Sequence, residues 1–158
     1  MSELEIIEKQ FLEDLQAEDI LGAVIRGCLH IEAGLIQLIE NRLQQLEVVD
    51  LTRIGFERLA EWAVALGRLR QDSLSSFRIL HAIRNRFAHK VNYKITESDV
   101  IEIENGLSPR LKGILNRQFT EKWPNASIEN RLRYCIVILY IDVTTPLEVA
   151  FSIANKSK

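Results

Sequence analysis

A clear excess of basic residues is what this sequence first lacks. Twenty Lys and Arg stand against 22 Asp and Glu, giving a formal net charge of -2. Phosphate neutralisation supplies most of the non-specific affinity of DNA-binding proteins, so direct DNA binding is not expected. Proline and glycine are scarce too, at three and seven residues. So few chain-breakers argue against a strand-rich fold that needs a turn after every strand. There are two cysteines, Cys28 and Cys135, each inside an apolar run. They read as reduced core thiols, which points to a cytoplasmic protein rather than a disulfide-stapled one. The longest apolar run, Tyr134 to Ile141, is far short of the ~20 residues that cross a bilayer, so no membrane partner is expected. The amino terminus, Met1-Ser2-Glu3-Leu4-Glu5, has no basic region ahead of an apolar core, so a signal peptide is not expected. There is no glycine-rich phosphate loop, and the three histidines, His30, His81 and His89, lack metal-ligand spacing. No metal and no cofactor are expected.

What is present is an ordinary globular balance, 47% hydrophobic and 27% charged residues. No linker divides the chain, so residues 1–158 read as one domain able to bury roughly 70% of its unfolded surface. Apolar residues recur at helical spacing. The pattern predicts a short helix over 3–15, a long one from Asp19 to Leu46, and a connector from Val48 to Ile54 capped at Asp50 or Thr52. A helix through Phe56, Leu59, Ala63 and Leu66 closes at Gly67 in the left-handed conformation. The next begins at Asp72 or Ser73 and ends near His89. Thr96-Glu97-Ser98-Asp99 forms a capping box with Ile95 and Val100 as a staple, and a short helix follows around Pro109 to Arg117. The last helix starts at Ser127. Its Cys-Ile-Val-Ile-Leu-Tyr-Ile run is apolar on nearly every side, which makes it the central element, although such β-branched residues also suit a strand. Pro146 should kink it. The fold class is therefore all-α: a single-domain multi-helix bundle with a buried, Pro-kinked C-terminal helix.

Two charges fall on apolar faces when the helices are projected at about 100° per residue. Arg84 lies within the stripe set by Phe77, Leu80, Ile83, Phe87 and Ala88. Glu32 lies between Cys28/Leu29 and Leu35/Ile36. An isolated buried charge is costly, so the expectation is a buried Glu32–Arg84 ion pair, with the guanidinium fork gripping the carboxylate. The alternative is that both tips reach solvent along their stems.

His81, Asn85 and His89 form a polar stripe beside that apolar face, placed to line a groove. Arg84 and His89 suit metal-independent phosphodiester chemistry. A histidine can take the proton of a ribose 2′-hydroxyl, and an arginine can stabilise the phosphoryl charge. Arg86 and Lys90 would steer a backbone toward them, and Tyr93 reads as a loop anchor. On a continuous helix, however, Arg84 and His89 point about 140° apart, so they converge only if the helix ends near Ala88.

Leu59 to Gly67, followed by Ile83-Arg84-Asn85-Arg86-Phe87-Ala88-His89, resembles the mannitol operon repressor family over about residues 15–150. The matching positions are Leu66, Gly67, Ile83, Arg84, Asn85, Phe87, Ala88 and His89. The resemblance implies an all-helical bacterial transcriptional regulator without a DNA-reading motif, acting through protein partners. The same segment is similar to the R-x-x-x-x-H signature of the HEPN superfamily. That implies metal-independent ribonucleases, often dimeric, with Arg84 and His89 as the catalytic pair and RNA as substrate. Toxin-type members place a tyrosine where this chain has Val91. The sequence thus favours a homodimeric regulator, with a HEPN-type ribonuclease as the alternative.

Overall fold

Side-chain caps fix most helix starts in the computed structural model, which describes residues 3–145. Asp19 accepts from the Gly22 amide at 2.7 Å and opens α2 (Ile20–Glu40), after α1 (Glu3–Gln16). Short 3-10 turns at Leu46–Val48 and Leu51–Arg53 lead to α3 (Phe56–Ala65), with Asp50 capping the second turn. A further 3-10 turn, Gln71–Ser73, runs into α4 (Leu74–His89). The Thr96–Asp99 capping box starts α5 (Glu97–Gly106), with Ile95 and Val100 both buried beside it. Ser108 caps α6 (Pro109–Leu115), which continues as a π-helical turn over Asn116–Thr120. Ser127 caps α7 (Ile128–Thr144).

Gly67, at φ 70°, ends α3 as expected. The amide of Arg68 bonds to the carbonyl of Ala63 at 2.8 Å and that of Gly67 to Val64 at 2.9 Å. This is a Schellman closure, which needs a left-handed residue at that position.

Among the described residues the protein is helical throughout, with no strand, so the last apolar run is a helix. It is also the central one. From Leu132 to Val143 every residue of α7 except Tyr140 is buried, with α2, α1, α5 and α6 packed around it. The kink expected at Pro146 lies outside the described residues.

The second helix departs from expectation at its end. It stops at Glu40 rather than running to Leu46, because the Asn41 amide tightens the last turn onto the carbonyls of Gln37 and Ile39. Beyond that point Leu46 is exposed and offers the core no further apolar face. By length and composition α2 also resembles a membrane-crossing helix, a property that a search for unbroken apolar runs misses because Arg26 and Glu32 interrupt it. Its Val24, Cys28, Ile31, Leu35 and Ile39 are packed in the core.

Candidate functional site

The 84–93 segment is built by the last turn of α4 and the loop that follows. Phe77, Leu80 and Ile83 anchor the helix in the core, while Arg84, Asn85, Arg86 and Phe87 are half-buried and Ala88, His89 and Lys90 are exposed. The helix runs unbroken through His89 and turns only at Lys90, whose backbone is extended (φ -124°, ψ 111°). Arg84 and His89 therefore stay about 140° apart around one axis. Within a single chain they do not converge on one ligand.

The loop folds back onto α5 around one carboxylate. Asp99 accepts from Arg86 Nη1 and from the Tyr93 hydroxyl, each at 2.5 Å, and from the Thr96 amide and hydroxyl at 2.9 and 2.8 Å. Burial alone would raise the Asp99 pKa. The bonds from Tyr93 and Thr96, with the Arg86 charge, outweigh it and hold the carboxyl below its ordinary value. The Tyr93 phenol is pushed up, by burial first and by its bond to Asp99 second. Phe87 meets the Tyr93 ring edge-on at 4.9 Å.

This knot places two of the expected site residues. Tyr93 anchors the loop. Arg86, expected to steer a nucleic-acid backbone, is committed to Asp99, with Glu102 3.9 Å away, and is a structural cation instead.

His81 turns toward α3, stacked on Phe56 at 5.5 Å, with Nδ1 3.0 Å from Glu57 Oε1. The polar stripe is therefore divided: His81 is tied down, Asn85 is half-buried, and His89 with Lys90 faces solvent. Among the described residues, no three His, Cys, Asp or Glu side chains gather to hold a metal ion.

The buried ion pair is a correction. Among the described residues no hydrogen bond or ion pair joins Glu32 to Arg84, and each is half-buried rather than enclosed. Both lie within electrostatic reach of Cys28. Burial pushes that thiol up to about 12, with Arg84 opposing and Glu32 adding to the rise. Each charge keeps part of its surface in water, so neither requires an intramolecular counter-ion.

Around them α2 carries an uncovered apolar arc. Leu21 and Leu29 are 44% and 55% exposed, and Ile25 and Ile36 are half-buried. At helical spacing these residues and Glu32 share an arc of about 80° that continues past the buried face. The result is an apolar strip bearing one acid, with one base on the neighbouring helix. The sequence marked both charges; it did not show that the strip beside them stays open.

No protein-family model, curated protein or solved structure matches this chain.

Proposed function

We propose that this protein is a non-enzymatic regulator of the mannitol-repressor-like type, working in the cytoplasm through protein contacts and assembling with a second copy of itself through the α2–α4 face. The observation that carries the reading is the open strip of Leu21, Ile25, Leu29 and Ile36 beside the unpaired Glu32 and Arg84. An isologous contact brings residue i against j and j against i. One acid and one base on the same strip therefore meet twice across a two-fold axis, Glu32 of each copy against Arg84 of the other. A half-buried charge without a partner in one chain becomes a desolvated, paired charge in two. The near-neutral net charge supports action through proteins rather than by direct DNA binding. The free, buried thiols of Cys28 and Cys135 agree with a reducing compartment.

The test is the mass in solution by light scattering, with loss of the dimer in Leu29→Glu. A monomeric wild type across the micromolar range contradicts the assembly.

The exposure of His89 and the unpaired state of Arg84 favour a second reading, a HEPN-type ribonuclease using those two residues on RNA. Against it stands the unbroken end of α4. Incubation with single-stranded RNA in chelator distinguishes the readings: cleavage that disappears in His89→Ala establishes the enzyme, and intact RNA removes that alternative.

A further inference from the structure

A cavity of about 490 Å³ opens between α5, the α6–π-turn segment and α7, away from the α2–α4 face. It is within the size range of small-molecule sites. One wall is aromatic. Phe119 and Tyr134 stack at 4.4 Å with planes 11° apart, and Trp123 lies 5.6 Å from Tyr134 at 29°. Trp123 also lies 6.0 Å from Phe119, so the three rings form one cluster in which Phe119 and Tyr134 are buried and Trp123 is 45% exposed. The exposed member of the cluster is thus an indole that borders the cavity. The π-helical turn Asn116–Thr120 carries Phe119 into this wall, and such turns are frequent at functional sites.

The polar lining is specific as well. Glu104 and Arg131 form a two-bonded pair, Nη2 to Oε2 at 2.7 Å and Nε to Oε1 at 2.9 Å, and Arg131 Nη1 also donates to Glu97 outside the cavity. The remaining charge lining the cavity is Lys112. Among the described residues its ammonium has no ion pair, and the Asn105 amide has no hydrogen-bond partner. Asn116 adds a second amide to the same rim. Amides both donate and accept, so they suit a ring whose edge carries nitrogens or carbonyls.

We propose that this cavity binds a small heteroaromatic acid, its planar ring stacked on Trp123, its single acidic group on Lys112 and its ring edge read by Asn105 and Asn116. Two sources share that chemistry, a nucleoside monophosphate and a heteroaromatic carboxylate. The site is independent of the assembly argued above.

The chain has two tryptophans, Trp62 on α3 and Trp123, so Trp62→Phe leaves Trp123 as the sole tryptophan, excited selectively over the tyrosines. This protein is titrated with AMP, GMP, CMP and UMP, and separately with nicotinate and orotate. Adenosine serves as the ring without the acid and inorganic phosphate as the acid without the ring. Saturable quenching by at least one ring acid is expected below about 1 mM. Lys112→Gln is expected to weaken it about tenfold, the loss typical of one charge-assisted bond. Calorimetry on Trp123→Leu, with circular dichroism showing the helices intact, should show the same ligand bound at least about tenfold more weakly. Which arm saturates identifies the source. The proposal is overturned if no ring acid saturates, if Lys112→Gln binds as well as its parent, or if phosphate alone matches the ring acids.

Discussion

Asp99 and Asp142 are buried acids whose surroundings push them in opposite directions. Asp99 is held below its ordinary value by Tyr93, Thr96 and Arg86 acting against burial. Its stabilising contribution is therefore present above the unfolded carboxyl pKa of about 3.9 and is lost as pH falls through the lower folded value. Asp99→Asn should cost about 2 kcal/mol at pH 7, from the lost cap and charge-assisted bonds. The gap from wild type should narrow below about pH 3.9 in urea unfolding. Asp142 is raised, by burial above all, with Ser73 and Arg110 partly opposing. There the sign reverses. Stability falls as pH rises from about 3.9 through the folded pKa, so Asp142→Asn should gain on wild type along that rise. Parallel pH profiles for the two variants would refute this assignment. The Asp99 cap was legible from Thr96 three residues earlier. Its bonds to Arg86 and Tyr93 were not, because spacing along the chain does not say where a loop folds back. The principle that a buried charge needs a partner was sound, but projection onto amphipathic faces pointed it at Glu32 and Arg84. Besides Asp99, the enclosed charges are Arg133, whose guanidinium donates to the carbonyls of Leu15 and Glu18 at 3.2 and 2.9 Å, and Asp142, paired with Arg110. Both lie on α7, and a helix apolar on all sides buries its charges whichever way they face.

At the scale of elements, α2 and α7 meet so closely that a Cβ on Gly27 would lie 2.4 Å from Ile136 Cγ2. Gly27→Ala should therefore destabilise the protein by about 1–3 kcal/mol through overpacking, although alanine is the better helix former. An unchanged denaturation midpoint would mean the two helices pack more loosely than the structure shows. Helix starts at Asp19, Thr96 and Ser127 were readable because each cap is chemistry within three residues. The end of α2 was not, because Leu43 and Leu46 continue the apolar spacing after the backbone has already turned at Asn41. The end of α4 decides the candidate site. With the helix continuous through His89, Arg84 lies within electrostatic reach of Cys28 on α2 while His89 faces solvent.

At the scale of the whole molecule, exposed large apolar residues occur at several places, Ile6, Val48, Val91 and Ile101 among them, and those on α2, Leu21 and Leu29, share one arc with the half-buried Ile25 and Ile36. Complete burial of a leucine is worth about 1.5–3 kcal/mol, so a strip of this kind gains from a second copy. In the dimer reading, Leu29→Glu should abolish association while leaving monomer stability within about 0.5 kcal/mol, as for an exposed position. The all-helical architecture was legible from periodicity alone. The open strip was not, since an apolar arc reads the same whether another helix of the chain covers it or another molecule does.

The central claim is the reciprocal contact of Glu32 with Arg84 across two copies, and charge reversal tests it most directly. Light-scattering mass is measured for wild type, Glu32→Arg, Arg84→Glu and the double reversal at one concentration. The account predicts a dimeric wild type, monomers for each single reversal, and a dimer restored when both charges are exchanged. A dimer that persists in both single reversals, or a wild type that is monomeric, would contradict it.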